Sequence, residues 1–523
     1  MNPTAYITTP IYYVNDRPHI GHAYTSTICD IWARAARAMG RDVFFLTGTD
    51  EHGAKVEKSA AARGMTPQAL ADENAAEFQR ILATFVLTND DFIRTTQLRH
   101  VTQVQAFLRK LVASGDVYLG TFEGWYDEGQ EEYHTENNAR VMNYLSAVSG
   151  KPLVRATEKN YYFRLSAFAD RLAKLYTEHP TFVLPAERAN EMLGRMRDGL
   201  QDVPITRTNF AWGIAMPDAP GHVVYVWIDA LLNYVTALEL GSTPTNDRAK
   251  YWPADFHVVG KEILWFHAVI WPALLMALEL PLPKCVYAHS FWIAEGKKMS
   301  KSLGNFVDLA AIERFTSAYG LDAWRWYMST QGPLSTTDAD FSARHFHEIY
   351  TNDLVNTVGN CPSRVGAMIN KYFAGKLPAD IENGGTWLAR CDAAVGKWQQ
   401  CMNDFDLVGA ARCGMDLLRQ IDVMINDTEP FKLAKDPANL PRLSSILNQC
   451  AQTVRVAGVL LEPFLPQRMA TLATAFGAIA VSTDGVVTDW NARKKYGAIA
   501  DGHDIAKLAL FPRVDAPLVP QAI

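Results

Sequence analysis

Two short motifs carry the residues best suited to chemistry in this 523-residue chain. Pro18-His19-Ile20-Gly21-His22 stands near the start, and Lys298-Met299-Ser300-Lys301-Ser302 lies far downstream. A lone Lys-x-x-Lys is most often solvated surface, and a lone His-x-x-His is as easily a chance pair or a pair of metal ligands. Together, in this order, they suit a protein that grips both ends of a nucleoside triphosphate. Lys298 and Lys301 on a loop can close over β- and γ-phosphates. His19 and His22 at a helix N-terminus can donate to the transferring phosphate, where free N–H groups and the helix dipole already favour anions. Gly21 has no side chain, which leaves room for adenine against the backbone. The reaction this serves is attack of a carboxylate on the α-phosphorus of ATP with loss of pyrophosphate. Such a step needs positioned donors and cations more than a nucleophile from the protein. Mg²⁺ would enter with the ATP and keep several of its waters.

The elements that must hold these residues are legible around them. Ala5-Tyr6-Ile7-Thr8-Thr9-Pro10 reads as a buried strand, 20–38 as a helix with apolar residues at helical spacing, and Val43-Phe44-Phe45-Leu46-Thr47-Gly48 as the next strand. This βαβ unit predicts parallel strands and a right-handed crossover. Helical stretches are expected over 67–87 and 100–114. From about 116 to 208 short aromatic strands bracket a polar stretch, which reads as an insertion with a small core around Trp125, Tyr126, Tyr161 and Phe163. The sheet is expected to resume with Val223-Val224-Tyr225-Val226-Trp227, a helix from Asp229, and strands at 256–260 and 285–289. After about Ser342 the pattern is helical, with no strand until the last residues.

Composition narrows the class. Apolar residues make up 48% and charged residues 20%, as in ordinary globular proteins, and 523 residues exceed one core. No run of about 18 apolar residues occurs, so no membrane span is expected. Met1-Asn2-Pro3-Thr4 lacks the basic and apolar blocks of a signal peptide, which points to a cytoplasmic enzyme. The seven cysteines are scattered and include no Cys-x-x-Cys pair, so neither a disulfide framework nor a thiolate zinc knuckle is indicated. A net charge of −6 does not advertise nucleic-acid binding, yet a local basic stripe would suffice for it. His134, His179 and His222 have no evident partner and are expected to be exposed.

On these motifs the chain resembles the class I aminoacyl-tRNA synthetases, and more narrowly the methionyl-tRNA synthetase family. The narrower likeness rests on Thr9-Pro10-Ile11-Tyr12-Tyr13-Val14-Asn15, Gly48-Thr49-Asp50-Glu51-His52-Gly53, Tyr225-Val226-Trp227-Ile228-Asp229-Ala230 and Gly260-Lys261-Glu262-Ile263-Leu264-Trp265-Phe266-His267. The resemblance implies an α/β fold: a Rossmann-like parallel-sheet catalytic domain split by an inserted connective domain, then an all-α anticodon-binding helical bundle. The implied divisions are 1–115 and 213–345 for the two catalytic halves, 116–212 for the insertion, and 346–523 for the bundle. It also implies a methionine site. Asp50, with the backbone near Ile11, would hold the α-ammonium. Tyr13, Trp227, Ala230, Leu231, Tyr234, Ile263 and His267 would surround the thioether, a soft group that suits aromatic and aliphatic walls. Tyr13 and His267 could supply a polar contact favouring sulfur over a methylene, and Gly260 and Glu262 would meet the ATP ribose. Leu231 stands where many relatives have proline.

Partners implied by the resemblance are L-methionine, ATP and methionine tRNA. Asn360 and Arg364, four apart and so on one helix face, would read the CAU anticodon, with Phe431 as a stacking platform where tryptophan is usual. Pro362 between them is expected to kink the helix. Many relatives carry cysteine zinc knuckles in the insertion; here no cysteine lies between Cys29 and Cys285, so no structural zinc is expected. No room remains past the helical region for an appended dimerising domain, so a monomer is expected. Two rivals remain open. One keeps the adenylate but changes the amino acid or acceptor, which pyrophosphate exchange across the standard amino acids would separate. The other is a non-catalytic RNA-binding homologue, against which intact His19, His22, Lys298 and Lys301 argue.

Overall fold

The structure, a computed structural model, describes residues 3–14, 17–127, 132–134, 136–243, 246–294, 296–299, 305–477 and 489–518, without the side chains of 122, 123, 132, 133, 156, 158 and 298. Its centre is a seven-stranded parallel sheet of β1 (Thr4–Thr8), β2 (Tyr12–Tyr13), β3 (Asp42–Asp50), β4 (Asp91–Arg94), β5 (Val183–Leu184), β6 (Phe256–Gly260) and β7 (Val286–His289). β3, β1, β6, β7 and β5 are successive neighbours, and β2 and β4 both pair with β3. The order reverses between β1 and β6, which pair Ile7 with Phe256 and Thr8 with His257. A crevice opens there at the carboxyl ends of the strands, the place where open α/β sheets bind ligands.

The sheet is apolar on both faces, and alternation divides it cleanly. Ala5, Ile7, Val43, Phe45, Phe256 and Val258 face one core, while Tyr6, Phe44, Leu46, Val259, Val286 and Ala288 face another. The first core runs without interruption through the Ile20–Ala38 helix into the C-terminal helices. A buried clip reinforces that junction. Asp30 on the Ile20–Ala38 helix accepts from Arg34 at 2.7 Å and Arg325 at 2.8 Å, and Arg325 also donates to the Pro463 carbonyl. Burial by itself would raise the Asp30 carboxyl, but the two guanidiniums and Thr88 overcome it and hold it at about 2. A carboxyl depressed in the folded state contributes stability above its unfolded value near 3.9, and loses it as pH falls towards 2. Asp30→Leu, which strands the fully buried Arg325 charge, is expected to cost about 3–5 kcal/mol. Thermal unfolding of Asp30→Leu and of the double variant Asp30→Leu/Arg325→Met checks this. A double variant no more stable than the single would remove the clip from the account.

Four expectations are corrected. Val223–Val224 pairs antiparallel with Thr206–Arg207 and does not join the central sheet. The helix starts at once, as Val226–Thr236, because Tyr225 is the last extended residue and Trp227, Ala230, Leu231 and Tyr234 repeat at helical spacing. The insertion instead lends the sheet an unforeseen edge strand, β5, paired with β7. Its own four-stranded antiparallel sheet, Glu132–His134, Val117–Asp127, Val154–Phe163 and Val203–Pro204, has, among the described residues, no enclosed core around the expected aromatics. Only Phe163 is fully buried, and it belongs to the second core of the main sheet, while Trp125 packs at the rim on Tyr144 and donates to Glu136. Finally, His134 and His222 are only half-exposed, and His222 sits against Tyr161 and within 3.3 Å of the Thr206 hydroxyl.

In the C-terminal region no strand follows Ala339–Phe341 among the described residues. Helix Ala343–Ile349 runs directly into a π turn, Tyr350–Gly359, and then into helix Asn360–Tyr372. The expected boundary at 345/346 thus falls inside a continuous helical run. Pro362, where a kink is expected, lies in the first turn of helix Asn360–Tyr372, which continues through it.

Candidate active site

One cavity of about 390 Å³ lies at the crevice, and fourteen of the residues singled out from the sequence line it. His19, Gly21 and His22 form one side. Ile11, Tyr13 and Asp50 come from the ends of β2 and β3, and Trp227, Ala230, Leu231 and Tyr234 from the Val226–Thr236 helix. Gly260, Glu262, Ile263 and His267 complete it from the end of β6 onward. Separations of more than two hundred residues close because three of these segments leave the carboxyl edge of the sheet, while the Val226–Thr236 helix, which follows no strand of that sheet, packs beside it.

The histidine motif builds its own geometry. His19 is the N-cap of the Ile20–Ala38 helix, and its Nδ1 accepts from the Gly21 N–H at 3.0 Å. The His19 N–H in turn donates to His22 Nδ1 at 3.2 Å, the reciprocal arrangement of a capping box. Both rings therefore spend Nδ1 as an acceptor, and the network assigns each neutral ring's proton to Nε2. Burial, with His19 beside it, pushes His22 well below its ordinary value, so it is neutral at pH 7. The glycine between them is required by the cap itself: a Cβ on Gly21 would lie 2.9 Å from His19 Cε1.

The apolar end is preassembled. Trp227 stacks on Phe266 at 3.9 Å and 8°. His267 rides on a π turn, Phe266–Ile270, a geometry that often marks functional positions. Its Nδ1 lies 2.9 Å from the Ile263 carbonyl and its Nε2 2.8 Å from the Tyr234 hydroxyl. The network makes Nδ1–H the donor to Ile263 and the Tyr234 hydroxyl the donor to Nε2. Burial pushes His267 down to about 4, consistent with a neutral ring. This corrects the expectation that His267 offers a polar contact to sulfur, because both of its nitrogens are already engaged.

Around the lysine motif, Lys297–Lys298 forms a short strand rather than loop, with Lys298 paired to Ile293. Trp292, one position before Ile293, lines the cavity. On the far side of the motif, Val307 accepts from the Ile20 N–H at 3.0 Å, Asp308 bridges His19, and Phe306 meets the His19 ring at 5.3 Å. The described flanks of the motif are thus tied to the cavity; Lys301 itself lies outside the described residues. Asn360 is exposed on its helix, Arg364 is paired with Asp422 at 2.9 Å, and Phe431 is 52% exposed.

Several lining residues escaped the sequence reading. Thr25 donates to the Gly21 carbonyl one turn along the same helix, and a face count from His22 would have found it. His289, 2.8 Å from Thr25 and pushed down to about 4 by burial, ends β7, the strand end where a ligand-facing residue is expected. Lys55 is the one Lys or Arg lining the cavity among the described residues. All seven cysteines are buried and free, and no group of three His, Cys, Asp or Glu able to hold a metal occurs among the described residues. No helix among them is long and apolar enough to cross a membrane.

A profile of the family "tRNA synthetases class I (M)" matches residues 5–142 and 134–366. A methionine–tRNA ligase from Bacillus subtilis is 41% identical over 532 residues, covering 98% of this chain and 78% of the relative. One from Halalkalibacterium halodurans is 40% identical over 528 residues, with the same coverage. This chain belongs to the methionine–tRNA ligase family. Among solved structures, Mycobacterium tuberculosis methionyl-tRNA synthetase in complex with methionyl-adenylate superimposes with a TM-score of 0.88 at 34% identity, covering 98% of this chain and all of the other. Its free form gives 0.84 at 31%, covering 99% of each. The match to the family extends over the Rossmann-like sheet, the insertion and the C-terminal helices alike.

Proposed function

We propose that the cavity is where this methionine–tRNA ligase activates L-methionine with ATP and then hands it to the terminal adenosine of methionine tRNA. The observation that carries the assignment of residues is the convergence of the fourteen on one cavity at the sheet's reversal point. In the first step a methionine carboxylate oxygen bonds to the α-phosphorus as the bond to the pyrophosphate oxygen breaks. In the second, a ribose hydroxyl of the tRNA terminus attacks the activated carbonyl and AMP leaves.

The chain's own part is electrostatic and positional. Asp50 holds the ammonium, and Tyr13, Trp227, Ala230, Leu231, Tyr234, Ile263 and His267 enclose the side chain. The Nε2–H groups of His19 and His22 point donors at the α-phosphate, with Gly21, Gly260 and Glu262 beside the nucleotide. Lys298 and Lys301 neutralise the departing pyrophosphate. Mg²⁺ accompanies the triphosphate and needs no protein cage of its own. Lys301→Ala is expected to lower the single-turnover adenylation rate by about 10²–10³-fold with methionine binding unchanged, because its contact forms in the transition state. An unaltered rate in rapid-quench kinetics would remove Lys301 from the mechanism.

The helical region reads the anticodon through Asn360, Arg364 and Phe431. Supporting this, Asn360 is exposed and Phe431 presents an open aromatic face, while Arg364 must exchange Asp422 for a base edge. One chain completes the cavity, and the same reading takes the working unit as a monomer of 58.2 kDa, which light scattering checks. The deciding experiment charges methionine tRNA transcripts carrying CAU or an altered anticodon, following adenylation in the same samples. Charging is expected to collapse with the altered anticodon while adenylation continues. Methionine adenylation with no charging of either transcript would overturn the tRNA half and point to another acceptor.

A further inference from the structure

Behind the cavity lies a buried carboxylate that the two-step reaction does not use. Asp229 is wholly inaccessible, on the Val226–Thr236 helix that presents Trp227, Ala230, Leu231 and Tyr234 to the cavity. One of its oxygens is 2.6 Å from His52 Nδ1 and the other is 2.7 Å from His100 Nε2. An ionised carboxylate only accepts, so both imidazoles donate. His100 Nδ1 returns to the same helix at the Thr236 hydroxyl, 2.7 Å away, and Gln103 from the His100 helix bonds the Thr236 carbonyl. Burial alone would raise the Asp229 carboxyl, but His52 and His100 reverse the shift and keep it ionised.

The second end of this relay is the turn that carries Asp50. His52 follows it by two residues, and the turn is pinned from outside. Trp212 donates to the Glu51 carbonyl at 2.6 Å, accepts from the Gly53 N–H at 3.0 Å, and packs on the His52 ring. The Glu51 carboxylate takes Thr49, Thr96 and Arg94. Gly53 has φ of +108°, and a Cβ there would lie 3.0 Å from the Tyr13 hydroxyl. A side-chain hydrogen bond from His52 to Asp229 joins this turn to the Val226–Thr236 helix.

We propose that Asp229 is a positioning residue that couples the two halves of the amino-acid site, using His52 to hold the Asp50 turn at a fixed separation from the side-chain wall. The inference rests on reading the cavity as a methionine site with Asp50 on the ammonium. A flexible linear amino acid must satisfy a charged contact and an apolar one together. A fixed separation lets it satisfy both without reordering the protein. Asp229→Asn keeps the shape but removes the charge that both imidazoles donate to and turns an N–H₂ towards one of them, which stays paired only by changing tautomer. His52→Leu removes one bond only. His52→Asn places an amide N–H₂ where Nδ1–H was and retains it.

The test compares L-methionine with its deamino analogue 4-(methylthio)butanoate, by competition in ATP–pyrophosphate exchange on the full chain. Wild type is expected to prefer methionine by about 100-fold or more, the worth of a buried ammonium–carboxylate contact. In Asp229→Asn and His52→Leu methionine is expected to weaken by about 10-fold or more while the analogue stays within threefold, with the KM for ATP unchanged. His52→Asn restores the wild-type ratio. Equal weakening of both ligands would mean Asp229 only packs the helix, and no weakening of either would mean it positions nothing; both overturn the proposal. Should Asp229→Asn fail to fold, the His52→Leu and His52→Asn pair decides it. A wild-type enzyme that shows no methionine-dependent exchange, or no preference for methionine over the analogue, would instead defeat the reading beneath.

Discussion

His22→Asn is expected to slow methionyl-adenylate formation by about 10²–10³-fold while methionine and ATP bind almost as before, the effect of deleting one preorganised donor to developing charge. The choice of asparagine follows from the division of labour within the ring. Nδ1 of His22 accepts the His19 N–H and closes the cap, and asparagine can offer an oxygen at that position. What asparagine lacks is anything at the place of Nε2–H. The helix should therefore keep its start and the protein its melting temperature. His22→Gln makes the opposite exchange, retaining a donor near the Nε2 position and losing the acceptor, and should keep more of the rate at a cost in stability of about 1 kcal/mol. Rapid-quench adenylation and thermal unfolding on both variants check the pair. If His22→Asn adenylates within threefold of wild type, the imidazole serves only as a cap.

Asp50→Asn is expected to raise the KM for methionine by about 10²–10³-fold, with the KM for ATP little changed. Asp50 is 7% exposed at the end of β3, and an ammonium entering there leaves its water behind. Removing the carboxylate's charge leaves that ammonium uncompensated, a loss of roughly 2–5 kcal/mol. Asparagine is the same size, so the fold is undisturbed. Pyrophosphate exchange at varied methionine measures it directly. A KM within threefold of wild type would place the ammonium elsewhere, with no consequence for the histidine argument.

Both predictions draw on residues that the sequence picks out and on contacts that it does not. The βαβ start was legible because β1, the helix and β3 each carry a clean pattern of two or about 3.6 residues. The segment after Val224 was not, because Val, Tyr and Trp favour strands locally while their spacing serves a helix packed on the sheet. β5 was invisible: two residues inside an insertion become a sheet strand only because β7 leaves an edge open beside them. His222 and His267 were misjudged for one reason, that the partner of a ring nitrogen is supplied by another part of the chain.

Taken alone, the sequence determined the order of the motifs, the parallel α/β core and the residue types that meet at its crevice. Those follow from local periodicity and from side-chain chemistry, which need no knowledge of distant neighbours. Only the tertiary structure decided which nitrogen of His19, His22 and His267 carries the proton, that Asp229 holds two histidines from separate elements, and that one core continues from the sheet into the C-terminal helices. The physical reason is that hydrogen-bond commitments and desolvation belong to contacts, and these contacts join residues as far apart as His52 and Asp229 or Asp30 and Arg325.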